Sequence, residues 1–162
     1  MQVVQNIGNY SAQNTSILTI GTFDGVHIGH QKIIHDLVKV AKKNDLCSIV
    51  LTFFPHPRMV LQKDSDLKMI DTLEEKQQFL EKMGVDVLIV HPFSKAFSRL
   101  TALEFTRDLL VNQLRISQLV IGYDHRFGRN REATIDDLKS FGLDYNFTIN
   151  EIPSQDIESI AV

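Results

Sequence analysis

The chain has 162 residues, of which 43% are hydrophobic and 23% are charged, and its formal net charge is −3. This length and apolar content suit a single soluble globular domain and exclude an intrinsically disordered chain. The slightly acidic balance argues against binding nucleic acid or an anionic membrane through bulk charge, so an anionic ligand would be bound by local groups.

The cysteine content and the lack of targeting patterns bear on the cellular compartment. Cys47 is the single cysteine and lies in a strand-like run, so it cannot form a disulfide within the chain. This predicts a buried core thiol in a reducing environment. The sequence has no signal-peptide pattern and no apolar run of transmembrane length. We therefore expect a cytoplasmic protein with no membrane partner.

The first half of the chain predicts a strand, a helix and a second strand. Residues 16–22 form an apolar strand-like run, and residues 28–43 carry apolar side chains at helical spacing. Residues 47–53 predict a second buried strand. The stretch 54–71 has no regular pattern, and irregular connections of this length are usually functional or mobile.

The second half continues the alternation of helices and strands. Helix starts are indicated by a threonine followed three residues later by an acidic residue, and helix ends by glycine. Three helices are predicted: one begins at Thr72 with Glu75 and ends at Gly84, one begins at Thr101 with Glu104 and ends near Leu114, and one begins at Thr134 with Asp137 and ends at Gly142. Strands are predicted at 85–90, 118–122 and 145–152.

Five apolar strands separated by helices predict an α/β fold, a Rossmann-like open parallel sheet with helices on both faces. In such sheets, ligands bind outside the carboxyl ends of the strands. Polar clusters at 21–30, 54–58 and 123–129 follow the first, second and fourth predicted strands. All three are therefore expected at the same edge of the sheet.

The turn at 21–30 joins a predicted strand to a predicted helix and is rich in glycine. Its backbone N–H groups and the helix dipole favour an anionic ligand. Two histidines, His27 and His30, are three residues apart, so both would face the same way on a helical first turn. The turn has neither the Gly-Lys-Ser/Thr of a Walker A loop nor the Gly-x-Gly-x-x-Gly dinucleotide pattern.

Three stretches of the sequence resemble the adenylyltransferase module of bacterial FAD synthetase, the bifunctional riboflavin kinase/FMN adenylyltransferase. They are residues 21–31, 51–57 and 121–131, and shorter similarities occur at 72–76 and 97–105. The first stretch alone indicates only the wider nucleotidylyltransferase superfamily. The histidine-proline cluster and the Asp-x-Arg-Phe-Gly segment narrow the resemblance to the flavin branch.

The resemblance implies a nucleotidylyltransferase fold and the reaction of ATP with FMN, in the presence of Mg²⁺, to give FAD and pyrophosphate. His27 and His30 would contact the triphosphate and act in catalysis. The nucleotide-binding residues would be Gly21, Thr22, Phe23, Asp24, Gly25 and Gly29. The flavin-binding residues would be Phe54, Pro55, His56, Pro57, Arg58, Asp124, Arg126 and Phe127. Asp24 would either face Mg²⁺ or cap backbone donors, and no metal ligand is assigned.

Structural interpretations compete with these functional ones. The two histidines of the turn would also suit metal ligation or an ordinary helix start, and His56 between two prolines would suit a rigid turn. Arg129 and Arg131 are also consistent with a solvated surface run. His91, followed by Pro92, is expected to end a strand, and His35 to lie on a helix surface outside the site.

The chain departs from the family pattern at two positions and at its end. His125 stands where phenylalanine is common, and Ala133 where glycine is usual. The family's Ser-Ser-Thr-x-Ile-Arg segment, which binds ATP phosphates, would follow residue 162. We therefore expect residues 1–162 to be an FMN adenylyltransferase domain that lacks this segment and the riboflavin kinase domain. Such a domain would bind nucleotide or flavin but transfer adenylyl groups poorly.

Two alternative functions stay open beside FMN adenylyl transfer. The histidine turn is shared by other nucleotidylyltransferases, such as cytidylyltransferases, which would make no FAD from ATP and FMN. A non-catalytic flavin- or nucleotide-binding module would bind flavin without releasing pyrophosphate.

Overall fold

A computed structural model describes residues 1–21, 28–54, 72–122 and 133–152, and of residues 28–30 it describes the backbone only. The strands are β1 Gln2–Val4, β2 Ser16–Ile20, β3 Cys47–Phe53, β4 Val87–His91, β5 Ile116–Gly122 and β6 Thr148–Ile152. The helices are α1 Ile28–Asn44, α2 Leu73–Met83, α3 Lys95–Ser98, α4 Ala102–Glu104, which continues as a π-helix over Phe105–Val111, and α5 Ile135–Tyr145. A short 3-10 helix spans Ile7–Asn9.

The strands form one parallel sheet in the order β1-β4-β3-β2-β5-β6. From β2 the chain adds β3 and β4 on one side, and then crosses back to add β5 and β6 on the other side. The strand order therefore reverses at β2, between the carboxyl ends of β2 and β5, where open parallel sheets bind ligands. The predicted Rossmann-like open parallel sheet is confirmed.

Apolar side chains of the central strands alternate between the two faces of the sheet. In β2, Ile17 packs with α1 and α2, whereas Leu18 packs on the opposite face with the π-helix and α5. The same alternation separates Val50 from Leu51 in β3. Both faces are thus covered, which is why these strands are apolar throughout rather than at every second residue.

The N-terminal strand was not predicted, and the expectation of five strands was wrong. β1 is three residues long and pairs in parallel with β4, where Val3 lies opposite Leu88. It is an edge strand in which only Val4 is buried, so its residues show no apolar periodicity. The segment that follows β1 is held by Gln113, whose Nε2 donates hydrogen bonds to the carbonyl oxygens of Ile7 and Tyr10.

The three predicted helix starts are confirmed, and in the third the Thr134 N–H donates to the Asp137 carboxylate at 2.9 Å. The Thr72 hydroxyl accepts the Glu75 backbone N–H at 3.1 Å at the start of α2, and Gly84 ends this helix with a φ of +95°. At the start of α4, the Thr101 hydroxyl accepts the N–H of Glu104, and the Glu104 carboxylate accepts the N–H of Thr101, both at 3.1 Å. These pairs satisfy backbone donors that lack partners within the helix.

The predicted stop at Gly142 was wrong, because α5 continues to Tyr145 and ends at Asn146, which has a left-handed φ of +64°. The glycine is required by a close approach instead. A Cβ at this position would lie 2.5 Å from the carbonyl oxygen of Phe147. Because Tyr145 is the last residue of the helix, the last strand begins at Thr148 rather than at residue 145.

The helix predicted from Thr101 to Leu114 is α-helical only in its first turn and then widens into a π-helix. The N–H groups of Asn112 and Leu114 donate to carbonyl oxygens five residues earlier, those of Arg107 and Leu109. The hydroxyl of Thr106 is fully buried and has no hydrogen-bond partner. Helical periodicity does not reveal a π-helix, because the widened turn differs from an α-helix by only one residue.

In the described part of the chain, no helix combines the length and apolarity needed to cross a membrane.

Candidate active site at the carboxyl edge of the sheet

The carboxyl ends of β2, β3 and β5 meet at one edge of the sheet. The Gly21 N–H donates to the carbonyl oxygen of Leu51 at 3.1 Å, and the Phe54 N–H donates to that of His91 at 3.1 Å. β5 pairs with β2 up to Val120, opposite Thr19, and ends at Gly122. The three strands that precede the polar clusters therefore end at a common edge, as the strand pattern predicts.

Four of the candidate site residues fall within the described part of the chain. Gly21 is half-buried directly after β2, Phe54 is 53% exposed directly after β3, and Gly29 and His30 belong to the first turn of α1. The remaining candidates lie outside the described residues: Thr22, Phe23, Asp24, Gly25, His27, Pro55, His56, Pro57, Arg58, Asp124, Arg126 and Phe127. His125 lies outside them as well, whereas Ala133 is buried.

The first turn of α1 has the electrostatics of an anion-binding helix start. α1 is 17 residues long, begins at the carboxyl edge beside β2 and has no acidic residue in its first turn. Two of its four lysines, Lys42 and Lys43, lie in the last turn, at the negative end of the helix dipole. The first turn of α1 therefore has no carboxylate that would repel a phosphate bound to the backbone N–H groups of that turn.

An aromatic cluster lies beside Phe54 at the carboxyl ends of β3 and β4. The ring centroid of Phe97 is 4.6 Å from that of His91 and 5.4 Å from that of Phe53. Phe93 completes the group, with its centroid 5.6 Å from that of Phe53. No sequence pattern predicts this cluster, although residues 93 and 97 are two phenylalanines that follow a predicted strand end.

His91 ends β4, as predicted, but it also makes a specific contact at this edge. Its Nδ1 accepts the backbone N–H of Ile7 at 3.2 Å, so the proton of the neutral imidazole is on Nε2. Burial among the aromatic rings lowers the pKa of His91. The imidazole thus links the 3-10 helix after β1 to the aromatic cluster beside Phe54.

Cys47 lies at the opposite edge, at the start of β3, and is half-buried rather than fully buried as predicted. Its Sγ is 3.9 Å from the hydroxyl of Tyr10. Burial raises the pKa of the Cys47 thiol, and burial beside this thiol raises the pKa of Tyr10 to about 12. Both groups are therefore neutral at physiological pH and take no part in the candidate site.

Among the described residues, no group of three or more His, Cys, Asp or Glu side chains is arranged to hold a metal ion.

The carboxyl edge of the sheet combines a helix start suited to phosphate with an aromatic surface beside an exposed phenylalanine. This arrangement suits a ligand pair in which one end is anionic and the other is a flat ring.

Comparison with known proteins relates the chain to one family. The FAD synthetase family model matches residues 9–162. A bifunctional riboflavin kinase/FMN adenylyltransferase of Buchnera aphidicola is 36% identical over 155 residues, which cover 95% of this chain and 50% of that protein. The protein of the same name from Escherichia coli K12 is 37% identical over 151 residues, covering 92% of this chain and 48% of that protein.

A shorter relative and a solved structure extend the comparison. A protein of Listeria monocytogenes named FAD synthetase is 34% identical over 139 residues, covering 85% of this chain and 56% of its own length. A crystal structure from Streptococcus pneumoniae, described as a macrolide-efflux protein, matches with a TM-score of 0.82 and 28% identity, covering 93% of this chain and 49% of that one.

The chain spans about half the length of the curated relatives it matches. The matched residues 9–162 take in β2 to β6 and the three stretches of sequence that follow β2, β3 and β5. The chain therefore belongs to the FAD synthetase family.

Proposed function

We propose that this chain transfers the adenylyl group of ATP to FMN, giving FAD and pyrophosphate. The observation that carries the proposal is the reversal of strand order at β2, which puts the start of α1 and the ends of β3 and β5 around one edge. Membership of the FAD synthetase family supports the reaction. The names of the relatives, FMN adenylyltransferase among them, support the choice of acceptor.

The proposed chemistry is an in-line displacement at phosphorus. An oxygen of the FMN phosphate forms a bond to the α-phosphorus of ATP, and the bond from that phosphorus to the oxygen of the β-phosphate breaks. Pyrophosphate leaves with the electron pair of the broken bond. Such a transfer needs no nucleophile from the enzyme, so the protein contributes positioning and charge stabilisation.

In this proposal, the turn from Gly21 to Gly29 holds the nucleotide, and His27 and His30 stabilise the charge that develops on the transferring group. The first turn of α1 favours this role, because it contains no acidic residue that would repel the phosphates. Donors aimed at developing charge typically change the rate by ~10²–10³-fold. The catalytic assignment therefore predicts a large effect when either imidazole is removed.

The flavin is proposed to bind on the side of the edge where β3 ends. Phe54 is exposed there, and its backbone N–H donates to the carbonyl oxygen of His91, a member of the aromatic cluster. An aromatic surface suits the isoalloxazine ring. Arg58 and Arg126, which follow β3 and β5 in the sequence, would suit its phosphate.

Mg²⁺ belongs to the proposal as part of the substrate, bound to the phosphates of ATP. Protein sites usually hold this ion through one or two carboxylates together with substrate phosphates and water. That mode fits a turn with a single carboxylate, Asp24. Bound to ATP, the ion would neutralise phosphate charge.

The test is FAD formation by the purified chain with ATP, FMN and MgCl₂, separated by liquid chromatography. We expect FAD that depends on the chain and on both substrates, and a loss of ~10²–10³-fold in His27→Asn and His30→Asn. His35→Asn is the matched control, because His35 is on the same helix with its side chain 66% exposed.

Two results would contradict the proposal. Flavin binding without pyrophosphate release would indicate a binding module instead. Product formation with CTP and another acceptor, but none with ATP and FMN, would indicate a different nucleotidylyltransferase.

A further inference from the structure

The end of β4 is held by a strand on one side and by a side-chain hydrogen bond on the other. β4 pairs with β3 as far as His91, opposite Phe53, but its pairing with β1 stops at Ile89, opposite Val4. Beyond that point, Nδ1 of His91 accepts the backbone N–H of Ile7 at 3.2 Å. This bond therefore fixes the last residue of β4 on the side where the ladder of backbone hydrogen bonds has already ended.

The residue that donates this bond is itself firmly anchored. Ile7 begins the 3-10 helix after β1, and its side chain is 3% exposed within the hydrophobic core. The side chain of Gln113 donates to the carbonyl oxygens of Ile7 and Tyr10. The N–H of Ile7 is thus presented to His91 from a segment that is tied to the core and to the end of the π-helix.

On its other side, His91 is bonded to the residues at the end of β3. Its carbonyl oxygen accepts the N–H of Phe54 at 3.1 Å. The centroid of its imidazole is 6.4 Å from that of Phe53 and 4.6 Å from that of Phe97. His91 therefore connects the 3-10 helix, the backbone of Phe54 and the aromatic cluster.

Packing alone does not explain a histidine at this position. The ring is half-buried beside Phe53 and Phe97, where a phenylalanine would fill the same space. The imidazole adds a hydrogen-bond acceptor to that ring. Because a backbone N–H removed from water needs a partner, the acceptor favours a single arrangement of Ile7 and the end of β4.

We propose that His91 is a positioning residue for FMN, which holds the backbone of Phe54 in place through the hydrogen bond from Ile7. This role rests on the proposed binding of the flavin beside Phe54. A binding surface that is already ordered loses less conformational freedom when its ligand binds, and affinity increases accordingly. Loosening the end of β4 should therefore weaken the binding of FMN and leave that of ATP unchanged.

The test compares His91→Phe with His91→Asn. Phenylalanine keeps an aromatic ring but cannot accept the Ile7 N–H, whereas Oδ1 of asparagine can take the place of Nδ1. From quenching of flavin fluorescence, we expect His91→Phe to raise the Kd for FMN by roughly 3–10-fold, as for the loss of one neutral hydrogen bond. His91→Asn should recover most of the affinity. His35→Phe is the matched control, because the His35 side chain is 66% exposed, and it should bind FMN like the wild type.

A measurement of ATP binding by thermal shift separates positioning from a general loss of structure. His91→Phe should bind ATP within twofold of the wild type. Equal losses of FMN and ATP affinity, or wild-type FMN affinity in His91→Phe, would overturn the proposal. Equal weakening of FMN binding in His91→Phe and His91→Asn would also overturn it, because the ring and not the acceptor would then matter.

Both binding measurements work without turnover. The expected pattern in a chain that forms no FAD would support the role of His91 and contradict only the proposed function, whereas a wild type that does not bind FMN would overturn both. If His91→Phe does not fold, Gln113→Met loosens the same segment by removing its two hydrogen bonds and should likewise raise the Kd for FMN. Failure of both variants to fold would overturn the proposal, because these contacts would then serve the fold alone.

Discussion

At the end of β4, His91 holds a neutral imidazole between the backbone N–H of Ile7 and the rings of Phe53 and Phe97. Burial lowers its pKa below the ordinary value of 6.5. The unfolded chain therefore takes up this proton near pH 6.5, whereas the folded protein takes it up only at lower pH. The contribution of neutral His91 to the free energy of unfolding is therefore fully present above pH 6.5. It is lost as the pH falls through the lowered pKa of His91 in the folded protein.

His91→Gln tests this pH dependence, because a glutamine oxygen can accept the Ile7 N–H but does not titrate. We expect the free energy of unfolding of the wild type to fall between pH 7.5 and pH 5.5, and that of His91→Gln to fall less. Urea denaturation at both pH values measures the difference. The exposed His35→Gln should retain the wild-type slope, and an unchanged slope in His91→Gln would show that His91 is not the titrating group.

Gly142 gives a second prediction at the scale of a residue. In an open helix, Gly→Ala stabilises by about 1 kcal/mol. Here the added Cβ would meet the Phe147 carbonyl oxygen at 2.5 Å, and that oxygen belongs to backbone that cannot rotate away. We expect Gly142→Ala to destabilise the protein by about 1–3 kcal/mol in chemical denaturation. Ser140→Ala, at an exposed position of the same helix, should change stability by less than about 0.5 kcal/mol. A stabilised Gly142→Ala would contradict the close approach.

At the scale of an element, the capping box of Thr101 and Glu104 begins the helix that turns into the π-helix. Thr101→Ala removes the hydroxyl that accepts the Glu104 N–H, and it should cost about 0.5–2 kcal/mol of stability. Thr101→Ser keeps an accepting oxygen and should cost much less. Thermal and urea denaturation of the two variants measure the difference, and equal losses in both would mean that the methyl group matters rather than the cap.

Elements that combine apolar periodicity with cap residues were predictable from the sequence. β3 spans Cys47–Phe53, as predicted, and α2 begins after Thr72 and ends at Gly84. Helix ends set by tertiary contacts were not predictable, as α5 shows. In the sequence, Gly142 resembles a helix end. In the structure it is a glycine because the carbonyl oxygen of Phe147 lies too close for a Cβ, a contact that the sequence does not reveal.

At the scale of the whole molecule, the alternation of strands and helices predicted a parallel sheet, and with it a common edge for the three polar clusters. The order of the strands was not predictable, because each crossover can place the next strand on either side. The edge position of β1 and the reversal at β2 became visible only in the structure.

The site residues themselves follow from motifs rather than from folding physics. Gly21 and Phe54 lie at the carboxyl edge, and the roles of the histidines, Arg58 and Asp124 stay predictions. The expectation of slow transfer by the 162-residue chain also stays a prediction, which the rate of FAD formation measures.

The most direct test of adenylyl transfer follows the phosphorus atoms of ATP. With FMN, MgCl₂ and ATP labelled at the α-phosphate, we expect the label to appear in FAD. With ATP labelled at the γ-phosphate, the label should appear in pyrophosphate and not in the flavin. Label from the γ-phosphate in a flavin product, or no α-label in FAD while both substrates bind, would contradict adenylyl transfer to FMN.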